Sequence, residues 1–233
     1  MMQRVNLEPA YVLHRRPYSN TSLLLDVFTA TYGRMSALAR SARGLSSRYR
    51  GKLELFYPML ISWSGRSELK TLGTVEFSNT PIILDGDALL CGFYLNEMLL
   101  RLLEKDDPYP QLFHLYHDTL QQLSCQQDQR QILRLFEKKL LHELGYGLTF
   151  THELQSGHDI YAEKFYQYIP NRGFTHCEPN VRDETIFAGS SLLALHHENF
   201  ANSAELNDAK RLMRLVFKRH LGDKPLKTRT LLT

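Results

Sequence analysis

The chain has little of what braces a fold covalently or holds a metal. Its 233 residues include three cysteines, Cys91, Cys125 and Cys177. They stand far apart and form no CxxC pair, which excludes a four-cysteine zinc knuckle; they read as buried reduced thiols rather than a disulfide framework. No run approaches the ~18 uncharged apolar residues of a membrane-spanning helix, and the opening MMQRVNLEPAYVLHRR lacks the apolar core of a secretion signal, so a cytoplasmic protein without membrane contact is expected. Catalytic signatures are missing too. Tyr146 stands where a zinc-protease helix beginning at His142-Glu143 needs a second His, and neither a Walker loop nor a GxSxG elbow occurs. His196-His197-Glu198 and His176-Cys177 lack further ligands and read as incidental, so no metal and no other cofactor is expected.

What the sequence does have is segregated charge. Residues 1–80 carry 11 Lys+Arg against 5 Asp+Glu, and residues 204–233 carry 8 against 3, while the stretch between is acidic. The overall net charge of +3 hides this. Two basic ends around an acidic middle suit an anionic polymer, since each neutralised phosphate releases condensed counterions; the bland alternative is that the cations simply solvate surfaces.

Periodicity places these charges on elements. Apolar positions alternate or run briefly between turn residues through residue 80: Tyr11 to Leu13, Ser22 to Phe28, Arg34 to Arg40, Tyr57 to Trp63, and Leu69 to Phe77. Five short strands with a longer connection after the third fit a small closed barrel of the oligonucleotide/oligosaccharide-binding (OB) type; an SH3-like barrel or part of a sandwich is the alternative. After Asn79-Thr80-Pro81 the period becomes helical, which predicts an α+β chain with an OB-fold nucleic-acid-binding domain over 1–80 and a helical domain over 81–233. Asp85 is placed to cap a first helix, apolar on nearly every side through Leu103. Leu112 to Leu123 forms a second, Asp128 caps a third ending at Gly145-Tyr146-Gly147, Ser190 to Asn199 is a short fourth, and Asn202 with Glu205 caps a long last helix. Residues 148–185 are irregular, with a hairpin expected around Asn171-Arg172-Gly173.

Candidate DNA contacts in the first domain are Arg34, Arg40, Arg43, Arg48, Arg50, Lys52, Arg66 and Lys70. Tyr11, Tyr18, Tyr32, Tyr49 and Tyr57 could add stacking surface, and Tyr49, flanked by Arg48 and Arg50, is the most pointed of them. In the last helix Lys210, Arg211, Arg214 and Lys218 share a side, and Lys224, Lys227 and Arg229 prolong it. In the third helix Arg130, Arg134 and Lys138 recur every four residues beside Leu133, Phe136 and Leu140, a pairing that suits an acidic peptide with apolar anchors; the alternative is an amphipathic helix whose apolar row is core.

The sequence resembles the bacterial RecO family along nearly its whole length and in order. The matching segments are AYVLHRRPYSNTSLLLDVFTATYGRMSALARSAR (Ala10 to Arg43), Gly65-Arg66-x-Glu68-Leu69-Lys70-Thr71-Leu72, Tyr94-Leu95-Asn96-Glu97-Met98-Leu99, Leu133-Arg134-x-Phe136-Glu137, Leu144-Gly145-Tyr146-Gly147 and Leu221-Gly222-x-Lys224-Pro225-Leu226-Lys227-Thr228-Arg229. The resemblance implies a non-enzymatic, nucleoid-associated recombination mediator. Such a protein binds single- and double-stranded DNA, anneals complementary strands, engages the acidic tail of single-strand-binding protein and works with RecR in loading RecA. It further implies DNA contact at Arg40 and Arg43, tail contact at Arg134, and a basic ending at Lys224, Lys227 and Arg229. Two departures stand out. The four-cysteine zinc motif of many relatives is absent, so no structural zinc is expected, and Ser41 stands where relatives often have Gly. The rival readings are a metal-dependent nuclease using His and acidic residues of 152–198, and a basic scaffold for RNA or acidic proteins.

Overall fold

The computed structural model describes residues 4–228 apart from 126, 181 and 223. Five strands come first: β1 Arg4–Tyr18, β2 Ser22–Thr29, β3 Gly33–Ala39, β4 Met59–Ser64 and β5 Leu69–Phe77. They close in the order β1-β2-β3-β5-β4, with β3 parallel to β5 and the other neighbours antiparallel, a five-stranded barrel of the OB type. The alternation in β3 buries Gly33, Met35, Ala37 and Ala39 and leaves Arg34, Ser36 and Leu38 half-exposed. Met35, Ala37 and Ala39 join Val12, Leu25, Val27, Ile61, Trp63 and Leu72 inside the barrel.

β1 is far longer than its Tyr11–Leu13 core suggests. Two register shifts against its neighbours, between Val5 and Glu8 and between Val12 and His14, break the alternation that would reveal it. Its central Ala10-Tyr11-Val12-Leu13 is buried on both faces. Ala10 and Val12 point into the barrel core, while Tyr11 packs outside it with Phe113 and Tyr116, at ring separations of 5.6 and 5.1 Å.

Those two rings belong to α2 Pro110–Ser124, which follows α1 Gly86–Leu102. Pro110 opens α2, where its missing N–H costs nothing, so the helix starts two residues before Leu112. Asp85 sits at the N-cap of α1 but makes no side-chain cap bond. The buried Asn96 of α1 ties three elements: its amide donates to the Leu13 carbonyl of β1 (2.9 Å), and its side-chain oxygen accepts from the Tyr116 hydroxyl of α2 (2.5 Å). Strands thus give way to helices between Phe77 and Gly86, while the first compact unit extends through residue 127, with 226–228 added, because α1 and α2 pack on the barrel's outer face.

The second compact unit comprises residues 128–225. It holds α3 Gln129–Glu143, a three-stranded antiparallel sheet of β6 Phe165–Ile169, β7 Gly173–Cys177 and β8 Ile186–Ala188, then α4 Gly189–His197 and α5 Ser203–Leu221. The hairpin around Asn171-Arg172-Gly173 is β6–β7; β8, three residues long, pairs with the other edge of β6 and has too short a pattern to signal itself. Asn202 caps α5 by accepting from the Glu205 N–H (3.0 Å), and Asp128 caps α3 through the Arg130 N–H (2.9 Å). Of the three cysteines, only Cys91 is buried; Cys125 is exposed and Cys177 half-buried, a correction to the expectation of three buried thiols. No described helix is long and apolar enough to cross a membrane.

Ser41 has φ 56°, in the left-handed region that favours glycine. Removing its Cβ relieves the ~1–2 kcal/mol left-handed cost but frees the unfolded chain, so Ser41→Gly is expected to raise unfolding stability in urea by about 0.5 kcal/mol. A lowered midpoint would show that the backbone here carries no strain.

Candidate nucleic-acid interface

The connection between β3 and β4, residues 40–58, is a chain of turns fastened to the barrel. Gly44, Ser47 and Arg50 each donate their backbone N–H to the carbonyl three residues back, at 3.1–3.2 Å. Tyr49 is 3% exposed, and its hydroxyl is shared between the Leu72 and Gly73 carbonyls of β5, 2.9 Å from each. The ring is therefore a core anchor. Base stacking at Tyr49, expected from its two flanking arginines, has no exposed face to use.

The basic residues of this unit divide by what they already hold. Arg34 donates from Nε and Nη2 to the Leu103 carbonyl just past α1 (3.0 and 2.9 Å). Arg43 ties its loop to the β1–β2 turn through the Ser19 and Asn20 carbonyls (2.8 and 2.7 Å). Arg48 donates to the Tyr49 hydroxyl (2.7 Å), Lys52 to the Val75 carbonyl (3.2 Å), and Lys70 stands 3.9 Å from the Asp106 carboxylate. The side chains of Arg40, Arg50 and Arg66 are exposed and make no hydrogen bond or ion pair with a described residue. Their guanidiniums face solvent, as do those of Arg4 and Arg16 on β1.

In α5 the buried side is Leu206, Ala209, Leu212, Met213, Val216, Phe217 and Leu221. Lys210, Arg214 and Lys218 form an exposed row at four-residue spacing. Arg211 leaves that row: it binds Asp208 (2.6 Å) and the carbonyls of Glu184 and Ile186 (2.5 and 2.8 Å), and lies 4.0 Å over the Phe187 ring. His220 stacks on the half-exposed Tyr146 ring at 4.0 Å, and burial together with the Arg219 guanidinium pushes its imidazole below its ordinary value. It therefore adds no charge to the row at neutral pH.

The α3 cluster is mostly internal. Phe136 is 1% exposed, so the apolar row that could have formed a groove is core. Arg134 is buried with Glu137 and donates to it from Nη2 (2.8 Å), while its Nε has no hydrogen-bond partner. Lys138 and Lys139 both hold Glu198 at 3.0 Å. Burial pushes that carboxyl up, but the two lysines outweigh it and keep it below the usual range. Arg130 is exposed and binds Asp128, whose carboxyl that hydrogen bond holds low.

Near the C-terminus, Glu97 of α1 accepts from the backbone N–H groups of Lys227 and Thr228 and from the Thr228 hydroxyl, at 2.7–2.9 Å. Burial raises Glu97, yet these hydrogen bonds and Arg101 prevail and lower it. Lys224 and Lys227 are exposed on this ending; Arg229 lies outside the described residues.

Residues 2–81 match the family described as Recombination protein O N terminal, and residues 83–230 match Recombination protein O C terminal. The chain belongs to the RecO family. Among its relatives, a DNA repair protein RecO of Coxiella burnetii (strain RSA 331 / Henzerling II) is 57% identical over 234 residues, all of both chains. Those of Nitrosospira multiformis and Haemophilus influenzae (strain 86-028NP) are 41% and 42% identical, covering 99% and 97% of this chain and 96% and 95% of their own. Membership places the chain in a DNA-repair family.

Within this RecO-family barrel, sequence reasoning missed Arg15 and Leu45. Arg15 binds Glu54 (2.7 and 2.6 Å) at the edge of a concavity under the β3–β4 connection, and Leu45 stands 94% exposed beside it. A large apolar residue inside a Ser- and Arg-rich loop was the one available signal. Among the described residues, no three His, Cys, Asp or Glu side chains converge as a metal would require.

The division of cations has a stability consequence. Arg34→Ala, which orphans the Leu103 carbonyl, is expected to cost about 1–3 kcal/mol in urea unfolding, and Arg50→Ala less than about 0.5 kcal/mol. Equal losses would contradict the division.

Proposed function

We propose that the chain is a DNA-binding recombination mediator that acts without making or breaking a covalent bond. The observation that carries this is the group of solvent-facing guanidiniums, Arg40, Arg50 and Arg66, on the connections of an OB-type barrel, where phosphates can be neutralised without dismantling any internal contact. Lys210, Arg214 and Lys218 of α5 supply a second positive row. Annealing is limited by repulsion between strands. One backbone held on the barrel and another on α5 lowers that repulsion while base pairing proceeds, for single- and double-stranded DNA alike.

The same proposal includes partners that family membership supports: the acidic tail of single-strand-binding protein, and RecR, with which the chain would help load RecA. For the tail, α3 offers Arg130 at its exposed start, while Arg134 is buried against Glu137. Phe136, being core, is not the anchor pocket. Arg130→Glu is expected to weaken binding of a labelled acidic tail peptide several-fold while naked-DNA binding persists; an unchanged dissociation constant would remove the tail site from the start of α3.

For DNA, fluorescence anisotropy of a labelled single strand across a salt series, with chelator present, tests the reading. Log affinity is expected to fall linearly with log salt, with the strand left intact. Arg40→Glu combined with Arg50→Glu is expected to reduce the slope by about 1–2. Identical slopes would move the DNA site elsewhere, and cleavage of the strand would favour a nuclease.

A further inference from the structure

The β3–β4 connection covers a concavity of about 260 Å³, well above the ~10–15 Å³ that one water molecule needs. Its apolar side is Leu23 and the buried Leu53. Its polar side is the Arg15–Glu54 pair, with Arg15 also donating to the Leu53 carbonyl (3.1 Å). Each of the two side chains remains about 40% exposed, at 39% and 40%, so their outer edges still offer a donor and an acceptor. Arg43 and Arg50 line it as well.

This chemistry does not suit a phosphate, which would face the Glu54 carboxylate. It suits a neutral planar ring with hydrogen-bonding edges: the apolar wall takes the ring face, the paired donor and acceptor take its edge, and Arg50 lies where a flanking phosphate carries charge. Leu45 completes the arrangement. It is the most exposed large apolar side chain described, at 94%, yet the turn bonds from Gly44 to Ser41 and from Ser47 to Gly44 fix its backbone. An ordered loop that holds a leucine in water is preorganised to cover something apolar.

We propose that the concavity is a nucleobase subsite, which takes one base of a single DNA strand beneath Leu45 while Arg50 holds the adjacent phosphate. The inference rests on the reading of the barrel as a DNA-binding surface and adds the part of DNA that this site recognises.

The test compares anisotropy of a labelled single strand with that of a labelled abasic strand of equal length and charge, for the wild-type chain and Leu45→Ala, at one low salt concentration. Leu45 makes no core contact, so its truncation leaves the barrel interior intact. The wild type is expected to prefer the base-bearing strand about tenfold, and Leu45→Ala to lose most of that preference. Equal affinity of the wild type for both strands, or an undiminished preference in Leu45→Ala, would overturn the subsite while leaving DNA binding in place. Binding of neither strand by the wild type would overturn the DNA-binding reading together with it.

Discussion

The fastening of the β3–β4 connection to the barrel, centred on the buried Tyr49, fixes where much of the positive charge of the first unit stands. Tyr49 reaches from the middle of the β3–β4 connection to the Leu72 and Gly73 carbonyls of β5. That connection spans 19 residues, 40 to 58, and ordering each costs roughly 1–2 kcal/mol of chain entropy, so no single bond worth about 1 kcal/mol could hold it. The Tyr49 ring adds burial in the barrel core, and the Arg43 tie to Ser19 and Asn20, the Lys52 bond to Val75 and the run of turns close the remaining slack. The result is a fixed surface on which Arg40 and Arg50 can present charge at little further ordering cost.

The second unit uses its cations differently. Arg211 straps α5 to the strand leading into α4, and Lys138 and Lys139 hold the carboxylate of Glu198, which ends α4 in a left-handed turn at φ 58°. These residues are basic because folding needs donors at those points. Removing them first in a mutational scan would mix loss of stability with loss of binding. Arg214 and Lys218 stand on the exposed side of α5.

Much of the fold was legible in the sequence wherever one face of an element is buried and the other wet. β2, β3, α5 and the Asn202 cap read directly from spacing. β1 was legible only from Tyr11 on, and its earlier part was not, because Ala10 to Leu13 is buried on both faces and two register shifts erase the period. β8 was not, because three residues carry no period. For the candidate site, the location of the charge was readable but its allocation was not: Arg34 and Arg50 look alike in sequence, and only the nearness of the Leu103 carbonyl distinguishes them. Tyr49 was misread for the same reason, since two flanking arginines say nothing about which way a ring points. The departure at Ser41 was visible as a missing glycine, and its backbone adopts the glycine-like conformation nonetheless.

The most direct measurement is backbone hydrogen exchange of the whole chain with and without a saturating single-stranded oligonucleotide at low salt. Slower exchange concentrated in residues 40–52 and the Gly65–Lys70 turn, with the β6–β7 hairpin unaffected, is the expected result. Protection confined to the second unit, with the β3–β4 connection exchanging at its free rate, would contradict the barrel as the primary DNA surface.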